Sequence, residues 1–556
     1  MADPKVSLAD ETIQLEAQMA SKRATWDTLW QDISELVMPS KSDIIEEKTP
    51  DISGWTRGIH DITAIQANQK LAAGSFDFLV SGKWFTYAPP EEHKEAIGKD
   101  GGKWYRECGE ITLRELNKSN WALEIHEVFL DRGGFGTAAL LTEENKAKTG
   151  LRFTTQPLGC YSIDEDDEKM VDTFIKTLKM TARNMVKKYG ETNVGKTVRE
   201  AFAKGPKGWD KEFPVIHRIS PREDVRAGPK RPDQKPWASI HIDKENKKIL
   251  LNSGFDEQAI SVTRFLRWGK HPYGFCPSIM AMPITRSVNL LEKYMDALAE
   301  MAAFPRILIP SNLEGNVDLR SSGVTIFDPN NPAGMPKEWA TEGRYDIGKD
   351  RAEVMREFIN DAYHVELFQA LADRSKQMTA TEVLELKEEK LVNFSPTFAR
   401  LQQEIFNPVL SRVFNILFRQ GKFPPAPESV MAQTQGGESG ILLPEVALTS
   451  KLALAMKALE NKNFLEFLQM GEMLFALQPE AADWIHQDSI LKLAENAGVA
   501  EGFINDQETV DEIREGRAKQ EQAAAALNAA QQGAQTAKDM SQADPAMQEA
   551  VAAGQA

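Results

Sequence analysis

Apolar residues return at helical spacing through much of this chain, most regularly between Tyr273 and Glu389. After a Pro/Gly-rich lead-in over Pro272 to Pro283, Val288, Leu291, Met295, Leu298 and Ala302 step by three and four. Asn289, Lys293, Asp296 and Glu300 occupy the other side, as in an amphipathic helix. Pro305 ends that helix after roughly 30 Å at 1.5 Å per residue. Arg306 to Pro310 and Gly323 to Phe327 are short β-branched runs, punctuated by Asn312, Gly315, Asn330, Pro332 and Gly334. From Asp346 the helical period resumes, with Val354, Phe358, Ala362, Val365, Phe368 and Ala372 on one stripe. The pattern therefore predicts two rods flanking a small extended module. A polar stretch from Asp373 follows, and Thr379-Ala-Thr-Glu382 is a capping box that opens a further helix.

On either side of this stretch the pattern differs. Residues 7 to 38 predict a helix or helix pair stopped by Pro39, and a second helix runs from Asp61, a candidate N-cap, to about Gly82. Lys83 to Tyr87 reads as a strand, and more helix is expected near Gly101 to Leu116 and Trp121 to Asp131. Six short runs then predict a small, mostly antiparallel sheet: Thr137 to Leu141, Leu151 to Thr155, Val215 to Ile219, Trp237 to Ile242, Ile249 to Leu251 and Ile260 to Trp268. One helix, Thr181 to Tyr189, interrupts them. Beyond Thr379 helices dominate, with Pro408 expected to kink one of them and Phe423 to Gly440 reading as a linker. Helices are expected again from about Leu448 to Leu477 and around Ala481 to Asn496. The last forty or so residues are rich in Ala and Gln and cannot bury a core alone. The fold class is α+β, mainly helical.

Composition narrows the function. A chain of 556 residues exceeds one ordinary core, so two or more sub-domains are expected. No window approaches the apolar length of a membrane span, and Asp3, Asp10 and Glu11 stand where a signal peptide needs a basic start. Three separated cysteines, Cys108, Cys160 and Cys276, offer neither a disulfide framework nor a thiolate zinc site. A formal charge of −16 argues against gripping nucleic acid through phosphates, yet suits a wall that DNA slides past.

One string looks like chemistry. Gly190-Glu-Thr-Asn-Val-Gly195-Lys196-Thr197 fits the phosphate-cradling P-loop pattern. A working P-loop lies between a buried strand and a helix, whereas the residues before Gly190 read as a helix, so the match is judged accidental. The glycines of Gly133-Gly-Phe-Gly136 read as a loop between helix and strand. His126-Glu127 lacks the second histidine of a zinc motif, and the acidic runs Asp164 to Glu168 and Glu385 to Glu389 read as solvated faces or turns. No catalytic, cofactor or metal residues are assigned. Binding and architecture are favoured over catalysis.

Several strings, in order, carry a family resemblance. Trp268-Gly-Lys-His-Pro-Tyr-Gly-Phe-Cys-Pro277, the helix with Asn289 and Leu290, and Gln377-Met-Thr-Ala-Thr-Glu-Val383 resemble the head-to-tail connecting, or portal, proteins of short-tailed, T7-like bacteriophages. Leu71-Ala-Ala-Gly74, Gly82-Lys-Trp-Phe85, Val171-Asp-Thr-Phe174 and Met180-Thr-Ala-Arg183 agree, in the same order, over roughly residues 10 to 500. One departure is Cys276, where relatives usually show a second glycine.

The resemblance implies a ring, usually twelvefold, at one capsid vertex, through which DNA is packaged and later ejected and to which the tail attaches. It divides the chain into a wing (1–276), stem helix 1 (277–304), clip (305–345), stem helix 2 (346–372), channel loop (373–378), wing helix and linker (379–447), crown (448–515) and a tail (516–556) that could form a barrel. Implied roles follow residue by residue. Arg374, Ser375, Lys376 and Gln377 form the channel loop. Arg306, Ile307, Leu308, Ile309, Val324, Ile326, Phe327 and Trp339 form the clip that docks motor or adaptor. Val288, Leu291, Met295, Leu298, Val354, Phe358 and Val365 pack the stems. Implied partners are further copies of the chain, the terminase large subunit, a tail adaptor, the major capsid and scaffolding proteins, and passing double-stranded DNA, but no membrane. The implied location is the virion, with assembly in the host cytoplasm. The alternatives are a P-loop ATPase of the packaging motor, or another structural virion component such as a tail adaptor.

Overall fold

The computed structural model describes residues 7–45, 58–222, 231–303, 306–309, 337–339, 345–372, 392–433 and 439–453, with scattered positions between 516 and 532. The chain divides into two units, Met1–Ala453 and Leu454–Ala556. In the second unit the described positions 516, 519–520, 522–523 and 530–532 are helical and exposed. The helices expected over 454–496 lie outside the described residues.

In the first unit, helix α1 (Leu8–Leu36) starts at Ser7, whose hydroxyl accepts from the Asp10 amide at 3.2 Å. It serves two cores. Its first half packs Ala9 and Met19 on the apolar face of a sheet carrying Ile175, Ile216, Ile240 and Ile242. Its second half sets Trp26 and Trp30 against Tyr273, with ring centroids 5.5 and 5.1 Å apart. The Trp30 indole finds its buried partner in the Phe135 carbonyl at 3.1 Å.

Helix α2 (Thr63–Leu79), strand β1 (Phe85–Ala88), helix α3 (Lys94–Lys118, interrupted at Gly98) and helix α4 (Trp121–Phe135) follow. The glycine run differs from expectation: Gly133 and Gly134 lie inside α4, not in a loop. There they admit neighbours no side chain could tolerate, since an added Cβ would stand 2.4 Å from Asn68 Oδ1 at Gly133 and 2.1 Å from Met38 Sδ at Gly134. Gly136 caps the helix at φ 82°.

Strands β2 (Thr137–Glu144), β3 (Leu151–Gln156), β4 (Tyr161–Glu165) and β5 (Val171–Thr181) lead to three short helices, α5 (Ala182–Tyr189), α6 (Lys196–Ala203) and α7 (Pro206–Trp209). Strands β6 (Glu212–Pro221), β7 (Trp237–Asp243), β8 (Lys248–Phe255) and β9 (Ile260–Arg264) complete two antiparallel sheets, ordered β4-β5-β6-β7-β8 and β3-β2-β9. The larger sheet is covered by α1 on one face and by α5–α7 on the other, around Met185, Tyr189, Val198, Phe213 and Val215. Strands β4 and β5 escaped the hydrophobic pattern because Asp164, Asp172 and Lys176 interrupt its alternation.

The hairpin β10 (Leu266–Trp268) and β11 (His271–Phe275) delivers the chain to helix α8 (Pro277–Ala303). Strands β12 (Arg306–Leu308) and β13 (Lys337–Trp339) pair antiparallel, Arg306 opposite Trp339. Helix α9 (Tyr345–Ala362) returns and is separated from α10 (Val365–Ala372) by His364, whose φ is 53°. The second rod is therefore two helices and not one. Helical residues 392–401 pass through a π-turn at Gln402–Phe406 into helix α11 (Asn407–Arg419). That turn answers Pro408, which has no N–H for an α-helical bond and whose ring would crowd the carbonyl four residues back. The Asn407 amide reaches Gln402 O in the wider turn instead. The expected linker at 423–440 contains the paired strands β14 (Met431–Gln433) and β15 (Ser439–Ile441). Strand β16 (Glu445–Leu448) closes the unit by pairing with β1, and the helix expected from about Leu448 begins just after it, with residues 451–453 helical.

Candidate functional site

The stretch singled out by its periodicity folds as an antiparallel hairpin of rods: α8 and α9 pack along each other, with β12 and β13 joining their far ends. Pro283 lies in the second turn of α8, where it has no N–H to offer the Ile279 carbonyl, and Ser287 Oγ donates to the Pro283 carbonyl at 2.9 Å. At the base, the buried Tyr363 hydroxyl and Ser278 Oγ lie 2.7 Å apart, and Ser278 Oγ donates to Gly133 O at 3.1 Å. The close approach at the α4 glycines is thus also where the hairpin is rooted.

A second anchor is polar. Asn289 Oδ1 accepts from the amides of His60 (2.7 Å) and Asp61 (3.1 Å), and its Nδ2 donates to Gly58 O. Asp61 accepts from the Thr63 amide at 2.9 Å and from Arg356 Nε at 2.8 Å, and Arg356 Nη2 reaches Glu292 at 2.5 Å. One carboxylate therefore bonds the first amide of α2 and holds α9, while Asn289 ties α8 to the same loop. Asp61 was expected as the N-cap of α2, but that position is Ile62 and Asp61 bonds the Thr63 amide from one residue before it; its partners 228 and 295 residues away were not legible in sequence.

The expected packing residues divide. Val288 and Met295 are buried and Leu291 and Leu298 half-buried, so this seam is covered by the chain itself, with Gly348 of α9 close against Met295. Val354 and Phe358, by contrast, are 48% and 55% exposed; the covered seam of α9 is Ala352, Ile359 and Tyr363. Val365, buried in α10, lies beyond the break at His364, so the stripe drawn through all three residues is not continuous. What remains is an uncovered apolar stripe on the far side of each rod, Leu290, Tyr294 and Met301 on α8 and Ile347, Val354 and Phe358 on α9.

Of the residues expected at the tip, Arg306, Ile307, Leu308 and Trp339 fall on the paired strands, and Leu308 and Ile309 are exposed. Val324, Ile326 and Phe327 lie outside the described residues. So do Arg374, Ser375, Lys376 and Gln377, the capping box at Thr379 and the acidic run Glu385 to Glu389.

The P-loop string spans two helices. Gly190 ends α5 at φ 85°, and Gly195 precedes α6. Asn246 fills the mouth, donating to Thr197 Oγ1 at 2.8 Å, and Lys196 is exposed beside Glu200. No strand feeds this turn, so it does not make the amide nest a phosphate needs.

Sequence reasoning missed a buried charge cluster. Arg264, 1% exposed, donates to Glu404 of the π-turn from its amide (2.7 Å), Nε (3.0 Å) and Nη2 (2.7 Å), and pairs with Glu165 as well. Glu165 was expected to be solvated with its acidic neighbours, but strand β4 turns it inward to Arg264 and Arg267. Arg400 also reaches Glu404, at 3.1 Å. Nearby Arg132 lies over the Phe265 ring and donates to Thr397 O; burial pushes its pKa down to about 9. Among the described residues no group of three or more His, Cys, Asp or Glu could hold a metal, and no helix is long and apolar enough to cross a membrane.

The chain belongs to the bacteriophage head to tail connecting protein family, whose model matches residues 9–504. It is similar to the portal protein of Salmonella phage epsilon15, 28% identical over 550 residues that cover 96% of each chain. It is also similar to a probable portal protein of Bordetella phage BPP-1, 26% identical over 547 residues covering 96% of this chain and 95% of the relative.

Proposed function

We propose that this chain is a phage portal protein, a non-enzymatic component of the virion that forms a ring at one capsid vertex for DNA packaging and ejection. The observation that carries the ring is the uncovered apolar stripe on the far side of each rod. In a head-to-tail ring the α8 stripe of one copy meets the α9 stripe of the next, and each copy makes both halves of one repeated interface. Covering six large apolar side chains at every junction supplies the association energy, at about 25 cal/mol per Å² of buried surface.

In this reading α8 and α9 are the stems around the channel and 305–345 is the clip. The body up to 276 with 379–447 is the wing that meets capsid and scaffold, and 448–515 is the crown. The overall acidity of the chain keeps DNA mobile in the channel, while Arg374 and Lys376 of the channel loop touch phosphates in passing. The terminase large subunit and later a tail adaptor dock at the clip, where Leu308 and Ile309 stand ready to be covered. Ring copy number is twelve by family resemblance, and assembly takes place in the host cytoplasm.

Removing 305–345 tests the docking assignment: rings of the shortened chain are expected to lose terminase binding, and undiminished binding would remove the clip from this account. Replacing Arg374 and Lys376 together with Ala is expected to impair DNA packaging or retention, and normal packaging and retention would remove the channel loop.

A further inference from the structure

Register places His217 of β6 directly opposite His241 of β7 and Lys176 of β5 opposite His217. The two imidazoles stack, with centroids 4.0 Å apart and planes 12° apart, and both are buried. One nitrogen of each is held: His217 Nε2 lies 3.0 Å from Ser239 Oγ, and His241 Nδ1 lies 3.0 Å from the Tyr189 hydroxyl at the end of α5.

The surroundings are short of negative charge. Lys176 leans on the neutral Gln156 at 2.5 Å, and α5 contributes Lys188 beside Tyr189. From β2 comes Glu143, the carboxylate that acts on both lysines, and the remaining titratable neighbour of Lys176 is Cys160. Asp243, two residues along β7, turns its carboxylate to the Glu245 and Asn246 amides and the Asn246 side chain. Burial accordingly holds His217 well below its ordinary range and His241 down to about 3, and lowers Lys176 to about 8.

We propose that the stacked His217–His241 pair is an acid-operated release joining the α5–α7 helices to the five-stranded sheet. Two parallel rings at this distance cannot accept protons while buried beside Lys176 and Lys188, because a positive charge there meets only positive neighbours and one shared carboxylate. Protons can be taken up only when the rings reach water. Tyr189 closes one side, so α5 must move for that to happen. The sign follows from linkage: the open state titrates near 6.5 and the closed state far lower, so closure is intact above about pH 6.5 and weakens as pH falls. Each histidine makes opening about tenfold more favourable per pH unit below that point, and the pair about a hundredfold.

Hydrogen exchange on the full chain, corrected for intrinsic rates, tests this between pH 7 and pH 5. The opening constant for amides of Ala182–Tyr189 and Lys196–Ala203 is expected to rise by tens-fold to about a hundredfold per pH unit, while amides of α11 show no such slope. His217→Gln and His241→Asn each keep a nitrogen or oxygen near the bonded position. Either alone is expected to reduce the slope to about tenfold per unit, and the two together to abolish it. Lys176→Gln, which removes a neighbouring positive charge without touching either ring, makes the closed state easier to protonate, so it is expected to leave the onset near pH 6.5 and to flatten the slope at the acid end. A flat opening constant in the unaltered chain, or an unchanged slope in the double variant, would overturn the proposal.

Discussion

Asp61 accepts from the Thr63 amide with one carboxylate oxygen and from Arg356 Nε with the other, 2.9 and 2.8 Å away, so the start of α2 and the middle of α9 share a single buried anion. An Asp61→Asn change keeps an acceptor for the Thr63 amide and loses the charge opposite Arg356. A double-mutant cycle with Arg356→Gln is expected to show coupling of about 1–2 kcal/mol, reduced from a fully buried pair because Arg356 is partly exposed. Additive effects in chemical denaturation would mean that the pair contributes nothing to rooting the hairpin.

Glu404 is where the π-turn meets the sheets. Glu404→Ala takes from Arg264 one of the two carboxylates it pairs with among the described residues, and removes the carboxylate that Arg400 pairs with and that acts on Arg132. It is expected to cost about 3–5 kcal/mol and to lower the first unit's melting temperature sharply. Arg132→Met, by contrast, removes a cation that is under-compensated and is expected to cost far less than Glu404→Ala. Thermal melts of both variants check the order, and a Glu404 variant as stable as its parent would contradict it.

Gly134→Ala probes the close approach of α4. The new methyl would stand 2.1 Å from Met38 Sδ, and although methionine is flexible, Met38 is itself buried. A loss of about 1–3 kcal/mol is expected, by overpacking. Gly102→Ala, at a helical position of α3 where nothing lies within 4 Å, is expected to be neutral or to stabilise by up to about 1 kcal/mol. Equal costs measured by denaturant melts would show that crowding is not what the α4 glycines relieve.

The two sides of the rods make opposite predictions. Phe358→Asp puts charge on the uncovered stripe and is expected to leave the monomer's melting temperature nearly unchanged while preventing assembly. Met295→Asp, buried within the hairpin, is expected to destabilise the monomer itself by several kcal/mol. Light scattering paired with thermal melts separates the two. Intact assemblies of the Phe358 variant would place the subunit interface elsewhere.

How much of this was legible in the sequence follows the range of the interactions. Local signals carried the helices: the period of Val288 to Ala302, the proline just beyond it, and the change of period between Thr137 and Trp268. What local pattern could not supply was which stripe of an amphipathic rod the chain itself covers. Val288 and Phe358 look alike in sequence, and only packing separates them. Nor does a charge run announce that Glu165 turns inward, since its partners Arg264 and Arg267 lie 99 and 102 residues away. The P-loop string shows the converse: its letters match, but the helix before Gly190 removes the geometry that gives them meaning.

Electron microscopy of the purified full-length chain tests the central claim most directly. The account predicts closed rings with a wide body and a narrow stem, lost on Phe358→Asp. A chain that stays monomeric at high concentration, or rings that survive that change unaltered, would contradict it.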